Sequence, residues 1–162
     1  MAKVIMTCGK ICTGKTTYAQ RIREEYKGVI LSVDEITLAL FGQYAGDEHD
    51  TYVVRAEKYL FEKSLEIIGT GINVILDWGF WTASERAEAR EFYKKHGIQC
   101  ELHYLDISDE LWEKRLKRRN AAVKEGRTSA YYVDKNLAEK FASIFETPSC
   151  EEADLWITAV DN

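Results

Sequence analysis

The sequence predicts an α/β fold, a three-layer αβα sandwich whose parallel sheet is covered by helices on both faces. Three observations predict it. Short apolar runs alternate with helical patterns along the 162 residues, the order that builds βαβ units. Several runs are near-continuously apolar, as strands buried on both faces require. A glycine-rich turn follows the first run, and single acids follow the next two. All three would lie at the carboxyl edge of the sheet, where open α/β folds hold their ligands.

The elements follow in order. Residues 4–8 read as a buried strand and 9–14 as a loop. A helix over 15–26 carries Tyr18, Ala19 and Ile22 at helical spacing, and Gly28 stops it. Residues 29–33 form the second apolar run, 34–41 a short helix and 42–50 a loop. A long amphipathic helix spans 51–68, with Val54, Phe61, Leu65 and Ile68 on one stripe, and Gly69 and Gly71 end it. The third strand, 73–76, stops at Asp77. The next helix, 83–96, opens on a capping box formed by Thr82 and Glu85 and closes at Gly97. Residues 100–105 are the fourth strand. A helix over 108–123 has Asp109 and Glu110 in its first turn, where the helix dipole favours acids. Another over 134–145 halts before Pro148, and 155–158 is the last short strand.

Composition bounds the function classes. A hydrophobic content of 46% with 30% charged residues is that of a globular chain, and the length fits one domain over residues 1–162. The net charge of −5 weighs against a protein whose main work is gripping a nucleic acid backbone, though it leaves room for a local basic site. No apolar run approaches the roughly 18 residues of a membrane helix. The four cysteines lack a Cys-x-x-Cys pair and read as free thiols, so the expected compartment is the cytoplasm. The three histidines, His49, His96 and His103, have no metal spacing. Monomer and homodimer both stay open.

One motif is highly specific. Gly9-Lys10-Ile11-Cys12-Thr13-Gly14-Lys15-Thr16 matches Gly-x4-Gly-Lys-Thr in full. The glycines let successive backbone N–H groups turn inward toward phosphate oxygens, and the following helix presents its N-terminus to the same anion. Lys15 places a point charge against the β and γ phosphates, and the Thr16 hydroxyl can ligate Mg²⁺. Four fixed positions recur by chance about once in 200 chains of average composition. The candidate nucleotide-binding set is Gly9 through Thr16 with Thr17 and Arg115, and the implied cofactors are ATP and Mg²⁺.

Weaker signals cluster around it. Asp34, directly after the second apolar run, is positioned to take the proton of a substrate hydroxyl or to orient it, with Glu35 as rival; the plain alternative is a helix cap. Asp77 ends the third strand, a place from which an acid helps hold Mg²⁺ or substrate, or merely makes a turn. Lys114-Arg115-Leu116-Lys117-Arg118-Arg119 is the dense basic stretch. On a helix Arg115 and Arg119 share a face with Arg118 beside them. They read as a lid over about 113–130 that stabilises charge during phosphoryl transfer, against a solvated face or a nucleic acid contact. Trp78, Phe80 and Trp81 wall a substrate pocket or simply pack. Arg55 and Arg86 are candidate substrate contacts against the usual surface placement of helix arginines.

With those residues in hand, the chain resembles the small P-loop kinases grouped with polynucleotide kinase, zeta toxin and chloramphenicol phosphotransferase, often labelled AAA-type although kinase-like. The resemblance runs through Gly9 to Thr16, Leu31-Ser32-Val33-Asp34, Val74-Ile75-Leu76-Asp77, the arginine-rich 115–120, and Phe145-Glu146-Thr147-Pro148 with Glu151 and Glu152. It implies a five-stranded parallel P-loop NTPase core with a helical lid and transfer of the γ-phosphate of ATP to a hydroxyl of a small-molecule acceptor. It places Asp34 at the base position, and Lys15, Arg115 and Arg119 among the catalytic groups. The Asp-Asp-x-x-Arg pattern of the polynucleotide kinases is absent, since the chain reads Val33-Asp34-Glu35-Ile36-Thr37. A polynucleotide 5′-hydroxyl kinase, a zeta-toxin-like kinase and a nucleotide-binding module with slow hydrolysis and a protein partner are the alternatives.

Overall fold

The computed structural model describes residues 1–159. Its elements are β1 (Val4–Cys8), α1 (Lys15–Glu25), β2 (Gly28–Ser32), α2 (Val33–Phe41), α3 (His49–Gly69), β3 (Asn73–Asp77), α4 (Ala83–Lys95), β4 (Cys100–Asp106), α5 (Asp109–Lys124), α6 (Lys135–Ile144) and β5 (Leu155–Thr158). The strands form one parallel sheet in the order β2-β3-β1-β4-β5. Connections leave β1 toward β3 and β2 on one side and toward β4 and β5 on the other. The crevice where this direction reverses lies at the tip of β1.

The apolar runs explain the layers. Every residue of β1 is buried, and alternate side chains of the sheet feed two cores. Val4, Met6, Val74, Leu76 and Leu102 pack with Ala89 and Tyr93 of α4 and half-buried Phe61 and Leu65 of α3. Ile5, Ile75 and Leu105 pack on the other face with Tyr18, Ala19 and Ile22 of α1. Side chains alternate across a strand, so one run serves both faces. Among the described residues no helix is long and apolar enough to cross a membrane.

The helix starts follow local chemistry. Ser32, Ser108 and Asp134 each accept a backbone N–H from the first turn of α2, α5 and α6, and α4 opens on the full Thr82–Glu85 capping box. One alternative and one expectation are corrected. Asp34 does not cap α2: Ser32 does, and Asp34 lies inside the first turn. The expected stripe of α3 begins one turn too early, because Val54 is 63% exposed whereas Ala56, Leu60 and Ser64 are buried. Ala56 packs with Val33 of α2 and Leu31 of β2, whereas Val54 on the other side of α3 lines an open cleft between α3 and α4.

On the α1 face a polar chain is sealed in. Tyr18 Oη lies 2.8 Å from His103 Nδ1, His103 Nε2 lies 3.4 Å from Glu101, and Lys3 Nζ is 2.7 Å from both Glu101 oxygens. A carboxylate only accepts, so Nε2 carries the hydrogen and Nδ1 accepts from Tyr18. Burial pushes the imidazole below its ordinary pKa, with Glu101 pulling it back. The folded chain therefore refuses a proton that the unfolded chain takes up. Stability from this group is complete above about pH 6.5 and is lost as the pH falls below it, by up to about 1.4 kcal/mol per pH unit until the native imidazole titrates. Thermal melts between pH 7.5 and 5 are expected to show a steeper acid loss for the wild type than for His103→Gln; parallel losses would remove His103 as the cause.

Candidate active site

The segment between β1 and α1 closes tightly on itself. A Cβ on Gly9 would stand 2.7 Å from the Leu105 carbonyl oxygen and 2.9 Å from Thr13 Oγ1, so no side chain fits there. Gly14 has φ +98° and caps α1 without any side-chain hydrogen bond, which leaves the first-turn N–H groups of α1 with no side-chain acceptor. Thr13 Oγ1 is buried without a hydrogen-bond partner. Uncapped amides and an orphaned hydroxyl in a side-chain-free cradle fit an anionic ligand.

Lys15 Nζ donates to the carbonyls of Gly9 at 2.9 Å and Lys10 at 2.8 Å, so the ammonium arches back over the loop. Burial pushes its pKa down, and Asp77 nearby pulls it back up. Asp77 is 4% exposed at the tip of β3, in register with Thr7 of β1 and Ser32 of β2. Burial pushes its carboxyl up, while hydrogen bonds from the Thr16 and Thr7 side chains and the charge of Lys15 stabilise the carboxylate. Asp34 is exposed, and its charge acts on both Lys15 and Asp77. The tips of β1, β2 and β3 thus bring Lys15, Thr16, Asp34 and Asp77 to one place.

Helix α5 lies directly on the loop. Arg115 donates to the Thr13 carbonyl at 2.6 Å, and Arg119 donates to Cys12 Sγ at 3.5 Å and to the Tyr131 carbonyl at 3.1 Å. Trp112 Nε1 donates to the Ile11 carbonyl at 2.8 Å, and Lys10 pairs with Asp109 at 3.3 Å. Lys117 and Arg118 are exposed, so the basic run is split between a loop-facing edge and a solvent-facing one. The segment after α5 crosses to the far side of the crevice. Tyr131 Oη donates to Thr37 Oγ1 at 2.8 Å, and Gln43 donates to the Ala130 carbonyl and accepts from the Tyr132 N–H.

The remaining sequence candidates fall elsewhere. Arg86 is corrected from a substrate contact or surface residue to a buried strut. It is 1% exposed, pairs with Glu152, and donates to the carbonyls of Phe80 and Glu146 at 3.0 and 2.9 Å. Arg55 is exposed on α3. Trp78 stacks on Phe80 with centroids 5.0 Å apart and meets Phe61 edge-on at 5.6 Å, yet both Trp78 and Phe80 also line the α3–α4 cleft. Trp112 and Tyr131 escaped notice in the sequence. Trp112 shares a helix face with Arg115 and Arg119, and that spacing was its only signal.

This fold and this loop define an α/β protein of the P-loop class, with a five-stranded, all-parallel sheet. The chain belongs to the family described as AAA domain (AAA_33), whose model matches residues 4–148. No curated protein sequence matches it. Among solved structures, the gluconokinase from Sinorhizobium meliloti 1021 is 15% identical, with a TM-score of 0.66 over 99% of this chain and 84% of that one. The Mycobacterium tuberculosis APS kinase CysC, solved with AMPPNP and APS, is 18% identical, with a TM-score of 0.69 over 99% and 90%. A chain of the Pnkp1/Rnl/Hen1 RNA repair complex is 22% identical, with a TM-score of 0.70 over 88% of this chain and 43% of that one.

Proposed function

We propose that the protein is a kinase that moves the γ-phosphate of ATP to a hydroxyl of a small-molecule acceptor. The observation that carries this reading is the meeting of Asp34 and Asp77 with Lys15 on one side of the phosphate loop and Arg115 with Arg119 on the other. A module that only binds nucleotide needs the loop; it does not need a carboxylate beside it and two guanidinium groups laid across it. The net charge of −5 favours a small acceptor over a polynucleotide.

In this reading the amides of residues 9–16 and the Lys15 ammonium hold the triphosphate. Among the described residues no cluster of three or more His, Cys, Asp or Glu side chains could hold a metal by themselves. The hydrogen-bonded Thr16–Asp77 pair fits a Mg²⁺ ion completed by phosphate oxygens. Bound there, Mg²⁺ would neutralise phosphate charge. Asp34 accepts the proton of the acceptor hydroxyl as its oxygen bonds to the γ phosphorus. The bond from that phosphorus to the bridging oxygen breaks, and ADP leaves with the electron pair. Arg115 and Arg119 stabilise charge on the equatorial oxygens.

An ADP-release screen over sugars, nucleosides, antibiotics and a 5′-hydroxyl oligonucleotide tests the proposal. Turnover that rises with one small hydroxyl compound is expected; stimulation by the oligonucleotide alone would transfer the protein to the polynucleotide kinases, and none at all to the binding modules. Within a positive assay, Arg119→Ala is expected to lower the rate on the order of a thousandfold while changing ATP affinity little. Equal effects on both would reduce the arginine to a binding group.

A further inference from the structure

The cleft between α3 and α4 has a consistent chemistry. It encloses about 370 Å³ and is lined by Phe61, Trp78, Phe80 and Phe92 on its apolar side. Its rim carries four glutamates, Glu57, Glu62, Glu85 and Glu88, against one cation, Lys58. The volume suits a small organic molecule. Three of the aromatics are held in fixed mutual geometry, with Phe61 edge-on to Trp78 at 5.6 Å and tilted against Phe92 at 5.3 Å. These contacts make one wall of the cleft a continuous aromatic surface.

The acids are not equivalent. Glu85 is committed to the N-terminus of α4, where it accepts from the Trp81 and Thr82 N–H groups. Glu88 accepts from Ser84 at 2.9 Å. Glu57 makes no hydrogen bond and no ion pair among the described residues, although it is half-buried against the aromatic wall. A half-buried carboxylate beside other carboxylates, with aromatic faces below, is a site that lacks its counter-ion. Aromatic faces and carboxylates both attract organic cations, and together they reject neutral and anionic molecules of the same shape.

We infer that the α3–α4 cleft binds an organic ammonium group with an apolar body, and that the phosphoryl acceptor is accordingly an amine-bearing alcohol. The second half rests on the kinase reading. Trp78 follows Asp77 directly, and the Phe80 carbonyl accepts from Cys8 Sγ next to Gly9 at 3.4 Å, so the wall of the cleft is the segment that leaves the tip of β3 alongside β1. Glu57 is the direct counter-ion, Glu62 and Glu88 add field from α3 and α4, and Lys58 disfavours a second positive charge on the ligand.

Burial, and then the Glu85 charge, push the Glu57 carboxyl up to about 7. The empty cleft therefore holds a proton in mildly acid solution that a bound ammonium group expels. Affinity for the cation is expected to rise between pH 5.5 and 8 and then level.

The test uses phenylalaninol and its deaminated counterpart 3-phenylpropan-1-ol, titrated by calorimetry into the full chain without nucleotide. The amine is expected to bind about tenfold or more tightly than the alcohol. Glu57→Gln is expected to remove that preference and flatten the pH dependence, whereas Glu125→Gln at the end of α5 leaves both intact. Equal binding of the two compounds, or an unchanged preference in Glu57→Gln, overturns the cation site. A parallel ADP-release assay separates the readings. Binding of the amine with no turnover on any amine-bearing alcohol overturns its role as acceptor and leaves the site. Turnover on neutral alcohols with no amine binding overturns the site and leaves the kinase.

Discussion

Lys15→Ala is expected to abolish ATP binding measured by calorimetry, with affinity falling a hundredfold or more. The ammonium spans the Gly9 and Lys10 carbonyls, which holds it over the loop. A hydrogen bond to a charged group contributes about 1.5–3 kcal/mol, and the polyphosphate gives Lys15 several oxygens to bind. Loss of the side chain also leaves two loop carbonyls without their donor. Burial pushes the Lys15 pKa down, so part of the ammonium's hydration is already given up before an anion binds. Arginine at this position is no substitute, since its planar fork exceeds the space a point charge occupies. Unchanged ATP affinity in Lys15→Ala would remove the loop from nucleotide binding altogether. The circular dichroism spectrum of the variant should match that of the wild type, because Lys15 stands at the first turn of α1 and outside both cores.

What could be read in advance divides by range. The phosphate loop, the capping box of α4 and the run of parallel strands depend on neighbours within a few residues, and the sequence shows such neighbours directly. The plain alternative for Asp34, a helix cap, falls two residues past the real cap Ser32, because serine and aspartate are interchangeable caps and only the backbone tells which one starts the turn. Val54 carried the right periodicity but lines the open cleft between α3 and α4; periodicity reports a face, not what covers it. Arg86 was illegible for another reason. Its partner Glu152 lies 66 positions away, and no local pattern marks an arginine chosen to be buried. Glu57 belongs to the same class, since its environment exists only once α4 brings Glu85 and Glu88 alongside α3. Such distant pairs are invisible in the sequence, whereas the loop of residues 9–16 is written in one segment.

Asp34→Asn is the sharpest separation of binding from chemistry. Asparagine keeps the size and the exposed position in the first turn of α2, and the cap of that helix is Ser32, so the fold has no reason to change. ATP affinity is expected to stay within about threefold, whereas transfer falls on the order of a hundred- to ten-thousandfold, the range spanned by loss of a general base. Glu35→Gln, one residue on, is expected to leave the rate unchanged. A second readout does not depend on any acceptor. The negative charge of Asp34 helps hold the Asp77 carboxyl above its ordinary range, so its removal lowers the pH at which Asp77 becomes ionised. If Asp77 holds Mg²⁺ as a carboxylate, as proposed, Mg²⁺-dependent ATP binding should therefore persist to lower pH in Asp34→Asn than in the wild type. A fully active variant would take Asp34 out of the mechanism, and an unmoved acid limb would show that the two carboxylates do not share the crevice. Both results together would leave a loop that binds nucleotide beside an acid with nothing to do.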